Sequence, residues 1–142
     1  MNATIEKFGH PATLIAEYEH WVVLLRPAQP TLGALVLAAK SDATAFGDLP
    51  AAAHAELKVA TAAIEAALSQ AVSYAKINYL MLMMVDPHVH FHVLPRYEGE
   101  RSGAGLTVAD AGWPAQPDLG AAVKLDDAQV AALTDWLKPY FA

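Results

Sequence analysis

Three histidines at every second position, His88, His90 and His92, interleaved with Val89, Phe91 and Val93, constrain this chain more than any other feature. A period of two is the strand period, so the imidazoles project from one face of a strand and the apolar side chains from the other, into a core. Pro87 and Pro95 bracket the row. Proline cannot donate to a ladder and is confined to strand ends, edges and bulges, so the pair marks where regular pairing begins and ends. One wall of this strand packs, and the other carries ionisable groups.

Such a row has three readings. The first is a solvated strand face. Against it, imidazole has no special strand propensity, yet half of the chain's six histidines fall within five residues. The second is a metal site. Alternate Cα atoms on a strand lie ~6.5–7 Å apart, so a tetrahedral zinc with bonds of ~2.0–2.1 Å reaches two neighbouring histidines and needs a further ligand, such as the acid Asp86. The third is covalent catalysis by His90, with His88 and His92 placed to bind the charged group it attacks. Only the middle histidine of a same-face row has a neighbour on both sides.

The run from His88 to Leu94, followed by Pro95 and Arg96, resembles the signature of the histidine-triad (HIT) superfamily of nucleotide hydrolases and transferases. The wider layout is similar too. Residues 17–25 resemble the family's early strand pair, and residues 32–37, led by Leu32 and Gly33, resemble its second hairpin strand. Residues 46–49 before a long helix and residues 76–79 before the triad complete a resemblance over 14–96. Proline and arginine after the triad resemble the fragile-histidine-triad branch. Three departures stand out. Met83, Met84, Val85, Asp86 and Pro87 occupy the place of a glycine-glutamine-serine or glycine-glutamine-threonine segment that contacts the reacting phosphate. Arg26 stands where the family holds a ribose with Asp or Asn, and Ala34 where a histidine commonly follows the hairpin glycine.

A chain of 142 residues with 55% hydrophobic content can bury an ordinary core, and residues 1–142 are expected to form a single domain, with 97–142 a C-terminal loop and helix. The absence of cysteine removes disulfides, thiolate metal sites and a cysteine nucleophile. A net charge of -6 argues against a nucleic-acid surface, and any phosphate substrate must be met by local donors. No segment approaches ~20 uninterrupted apolar residues and the first ten residues do not read as a signal, so a cytoplasmic protein without membrane contact is expected.

Alternating or apolar runs predict strands over 13–18, 21–25 and 33–39, with Pro27 and Pro30 making 26–31 a hairpin loop. Leu57, Ala60, Ile64, Ala67, Leu68 and Ala71 predict an amphipathic helix opened by Pro50 at its first position. Residues 76–85 read as a long buried strand in which Asn78 is the polar exception, needing partners or lining the site. Residues 98–105, with Gly99, Gly103, Gly105 and Arg101, read as a mobile loop, residues 106–108 as a short strand and residues 112–120 as irregular. Asp126 and Gln129 form a capping-box variant before a helix whose stripe is Val130, Leu133, Leu137 and Phe141. The expectation is an α+β fold: an antiparallel sheet of about five strands, a long central helix and a C-terminal helix.

The resemblance implies a homodimer and an enzyme acting on phosphorus-containing bonds of a small nucleotide, such as a dinucleoside polyphosphate or a nucleoside phosphoramidate. His90 would form a nucleotidyl-histidine while His88 and His92 orient and donate, with no metal and no cofactor. Arg26, Asn78 and Arg96 are the candidate substrate-binding residues, with Lys76 behind them. His20 is a weaker candidate for approach to the site. The alternatives are a metal-dependent hydrolase using two triad histidines, or a non-catalytic nucleotide-binding protein.

Overall fold

The structure is a computed structural model describing residues 1–142. A short helix α1 (Ala3–Lys7) precedes β1 (Leu14–Glu17), β2 (Trp21–Leu25), β3 (Ala28–Gln29) and β4 (Leu35–Ala39). The long helix α2 (Ala51–Val72) then leads to β5 (Lys76–Leu80) and β6 (His90–Arg96). The chain closes with β7 (Glu100–Gly103), β8 (Leu106–Ala109), β9 (Val123–Lys124) and α3 (Asp127–Leu137). Five strands make one antiparallel sheet in the order β1-β2-β4-β6-β5, so the expected α+β architecture is the one observed.

Both faces of this sheet are covered, which is why β2 and β4 are buried at every position and read as unbroken apolar runs without alternation. Trp21, Val23, Leu25, Leu35, Leu37 and Val93 face α2 and α3 and share the main core with Ile64, Leu68, Leu133 and Leu137. Val22, Leu24, Val36 and Ala38 face the other way, where Ile5 and Phe8 of the N-terminal segment seal them. Because β6 lies beside β4 with Val36 opposite His92 and Ala38 opposite His90, the triad projects from this second face.

The helix α2 begins one residue later than its proline suggests, with Pro50 as N-cap and no side-chain cap. Two acids of α2 reach toward the sheet: Glu56 accepts from the His20 backbone N–H at 2.7 Å and Glu65 from the Tyr79 hydroxyl at 2.6 Å. At the other end of the helix, Gly33 has φ +90°, and a Cβ there would come 3.0 Å from Val72 and 3.3 Å from Leu68. The left-handed backbone and the close helix approach both require glycine at that position.

Four regions differ from expectation. The strand expected over 76–85 stops at Leu80; Met83 takes a left-handed φ of 50°, and Met84 and Val85 are 86% and 80% exposed. Likewise β6 starts at His90, with His88 in the approach to it. The hairpin loop 26–31 contains β3, which pairs with β9. The glycine-rich 98–105 stretch is no mobile loop but one arm of the β7–β8 hairpin, turned at Ala104 (φ 52°) and Gly105 (φ 78°). Two successive positive φ values match a two-residue hairpin turn whose twist suits the strands. Arg101 ties this hairpin to the end of α2 by donating to the Val72 and Ser73 carbonyls at 2.9 and 3.2 Å.

The capping box of α3 is present as read. Asp126 accepts from the Gln129 N–H at 2.8 Å while Gln129 Oε1 accepts from the Asp126 N–H at 3.0 Å. Asp126→Ala is expected to lower stability by about 1 kcal/mol without changing turnover per folded molecule, since α3 packs on the face away from the triad. Urea unfolding alongside an activity assay checks both halves.

Candidate active site

The β6 backbone delivers His90 and His92 side by side, their ring centroids 5.2 Å apart and nearly perpendicular at 79°. His90 is 2% exposed and its Nδ1 lies 2.7 Å from the His88 carbonyl. A carbonyl can only accept, so Nδ1 carries the proton and Nε2 is left with a free lone pair. One backbone bond thereby sets the tautomer of His90.

His92 has the opposite arrangement. Arg26 Nε donates to its Nδ1 at 3.2 Å, and a guanidinium has no lone pair to offer, so Nδ1 is bare and Nε2 holds the proton. Burial, then the Arg26 charge, then His90 push the His92 pKa down to about 4, with Asp86 opposing them. His92 is therefore neutral at pH 7. His88 is held from outside the strand: its backbone N–H donates to Thr4 Oγ1 at 3.3 Å, and the same hydroxyl bonds its Nδ1 at 2.9 Å.

The N-terminal segment forms the roof. The Phe8 ring sits 5.6 Å from the His90 ring and 5.8 Å from that of His92. Lys7 reaches across to Asp86 at 2.7 Å, joining α1 to the loop that follows β5. Asn2 anchors the segment by donating to the Ala39 and Ser41 carbonyls at 2.9 and 3.0 Å. Beneath lies a cleft of about 330 Å³, lined by Phe8, Arg26, His90, His92 and the apolar residues Leu82 to Val85. That volume falls at the small end of ligand sites, ~300–1,000 Å³. Two roomier depressions, about 630 and 570 Å³, lie around Trp113 and Pro114. Neither contains an imidazole, whereas His90 and His92 line the smaller cleft.

Of the residues singled out in the sequence, the structure brings His90, His92 and Arg26 together at the cleft, while His88 gives its backbone carbonyl to His90 and its ring to Thr4. Asn78 and Arg96 share the triad's face of the sheet but lie outside the cleft. In place of the expected phosphate contact, Arg96 donates to both oxygens of Asp110 at 2.7 and 3.0 Å, to Asn78 Oδ1 at 2.8 Å and to the Ala115 carbonyl at 2.9 Å. The half-buried amide of Asn78 thus finds its partner in Arg96. Lys76 is exposed at the start of β5, and His20 turns its side chain toward Glu19 at 3.9 Å. Asp86 is occupied by Lys7, and no three His, Asp or Glu side chains converge as a metal-ligating group. Thr4, Lys7 and Phe8 were not singled out from the sequence.

A model of the HIT domain matches residues 7–99, well over half of the chain. The chain belongs to the HIT domain family. Solved HIT structures share its fold: a histidine triad protein from Sinorhizobium meliloti at 22% identity and TM-score 0.69, with 96% of each chain covered. A hypothetical histidine triad nucleotide-binding protein from Sulfolobus tokodaii aligns at 16% identity and TM-score 0.72, over 97% of this chain and 89% of that one. A zinc-bound histidine triad family protein from Mycobacterium smegmatis aligns at 18% identity and TM-score 0.64, over 96% and 88%. No functionally curated protein matches the sequence significantly. Membership in the HIT family suggests nucleotide binding or hydrolase and transferase activity. No helix of this HIT domain is long and apolar enough to cross a membrane.

Proposed function

We propose that the protein is a nucleotide hydrolase or nucleotidyl transferase that cleaves a nucleoside phosphate bond through a covalent intermediate on His90, without a metal. The observation that carries this reading is the His90 Nδ1–H bond to the His88 carbonyl at 2.7 Å, which leaves Nε2 as a free lone pair in a cleft shared with Arg26. In the first step Nε2 forms a bond to the α-phosphorus as the bond to the leaving group breaks. The leaving group departs with that electron pair and takes a proton from water. In the second step water adds to phosphorus, loses a proton to solvent and displaces Nε2, so one hard displacement becomes two easier ones. The guanidinium of Arg26 and the Nε2–H of His92 supply charge and a donor for phosphoryl oxygens.

The test is a panel of dinucleoside polyphosphates and adenosine phosphoramidates assayed with chelator present, followed by acid-free quenching and mass analysis. Nucleotide mass on the peptide containing His90 is the expected result. Activity that disappears with chelator and returns with zinc would replace this reading with the metal-dependent one, for which the zinc-bound M. smegmatis relative is the supporting observation. Ligand binding without turnover on any substrate would leave a nucleotide-binding protein. A cytoplasmic homodimer formed by chains of one domain each completes the reading; the outer edge of β5, which pairs only with β6, supports it.

Arg26 is proposed to tune substrate choice. It is a cation where the family accepts ribose hydroxyls, and a guanidinium cannot accept but can hold a phosphate. Arg26→Asn is expected to change relative kcat/KM among the panel by about tenfold. Unchanged ratios with an unchanged melting temperature would refute it.

A further inference from the structure

We propose that Arg26 is a positioning residue for that reaction: its bond to His92 Nδ1 fixes the third histidine as the Nε2–H tautomer, a neutral donor to phosphoryl oxygen that does not supply the leaving group's proton. The inference rests on the nucleotide chemistry proposed above, but its first half concerns the molecule without any ligand.

The geometry is one-sided. Both neutral tautomers of a free imidazole are accessible, and only the one with a bare Nδ1 can accept from Arg26 Nε at 3.2 Å. Protonating His92 would place an N–H opposite an N–H, breaking that bond and setting two cations against each other in a buried place. Arg26 itself cannot easily swing away. Its Nη1 donates to the Ala28 carbonyl at 2.5 Å and its own carbonyl accepts from Gln29 Nε2 at 2.6 Å. Gln29 is fully buried, and its amide also holds the Ala34 carbonyl and the Gly33 N–H. The β3–β9 pairing fixes this corner in turn.

The groups facing His92 all act in a consistent direction except one. Arg26 stands on one side, His90 adjoins it on β6, and Phe8 covers it from the N-terminal segment with an uncharged ring. Asp86 across the cleft is the lone anion, and Lys7 engages it at 2.7 Å. His88 is turned to Thr4. The consequence is a pair of neighbouring imidazoles of opposite polarity: His90 presents a lone pair and His92 presents a proton. An attacked phosphorus needs the first and its oxygen the second.

The experiment uses intact protein with ¹⁵N-labelled histidine and two-bond proton–nitrogen correlation from pH 4.5 to 8. In the wild type His92 is expected with Nδ1 bare and Nε2 protonated, unchanged down to about pH 5, and His90 in the opposite tautomer. In Arg26→Met the His92 titration should move up by at least about one pH unit and its tautomers should mix. Arg26→Lys, which keeps a cation without the planar fork, should also lose the fixed tautomer and serves where the methionine variant folds poorly. Wild-type His92 protonated on Nδ1 at neutral pH, or titration unmoved in both variants, would overturn the proposal. With a competent substrate, kcat in the variants should fall about tenfold or more; an unchanged kcat despite a lost tautomer would overturn the catalytic half. Absence of any wild-type turnover would instead count against the nucleotide reading and leave the tautomer result standing.

Discussion

Replacing His90 with asparagine is expected to lower turnover on the order of 10⁴-fold or more, while ligand affinity stays within about tenfold. The asparagine amide approximates the size of the ring and can still donate to the His88 carbonyl, but it offers no nucleophilic nitrogen. The reaction would then lose its covalent route and retain only what Arg26 and His92 give to a direct attack by water. His90 bonds the His88 carbonyl and packs against the His92 ring, with His88 held on Thr4 and His92 on Arg26. Changes at those neighbours should therefore leave residual activity that His90→Asn does not. Stopped assays across the substrate panel, with binding measured separately by calorimetry, separate the two effects. A variant that turns over near the wild-type rate would remove His90 from the role of nucleophile.

Arg96→Ala should lower stability by about 3–5 kcal/mol, because it leaves a buried carboxylate without its partner. Arg96 is 3% exposed and Asp110 7%. Asp110 also accepts from the Tyr97 N–H at 3.1 Å. The same guanidinium ties Asn78 on β5 to the Ala115 carbonyl, so three separate stretches of chain lose a common anchor at once. A melting temperature lower by about 10 °C or more is the expected readout. The double change Arg96→Met with Asp110→Leu should recover part of the loss, since two apolar side chains leave no charge uncompensated. A single variant melting within a degree or two of the wild type would show that the pair contributes little.

The parts of the molecule legible in the sequence are those whose cause is local. Alternation of His with Val and Phe gave the face of β6, the i, i+4, i+8 spacing of Ala60, Ile64 and Leu68 gave α2, and Asp126 with Gln129 gave the start of α3. Arg26 drew notice because a cation stood in an unusual place. What stayed hidden depends on partners far along the chain. Arg96 looked like a phosphate ligand because nothing near it advertises Asp110. Thr4 and Phe8 carry no local mark, since the positions they serve lie more than eighty residues on. The apolar run 81–85 misled for a different reason: the ladder stops at Leu80, Met83 turns left-handed beyond it, and hydrophobic residues from Leu82 on line a cleft. Glycines at 99 to 105 serve a tight hairpin, and glycine content alone does not distinguish a turn from a mobile segment.

The clasp between Thr4 and His88 spans 84 residues of sequence, and this gives the site a place in time as well as in space. During synthesis α1 emerges well before β6 and has no triad to cover until β6 has left the ribosome. Closing so long a span comes late, after local elements such as α2 have formed, because its entropy cost must be met before the contact rewards it. Chemical competence would then be among the last properties the chain acquires. A stalled or nicked chain that keeps its helix would be recognisable by circular dichroism and still catalytically silent.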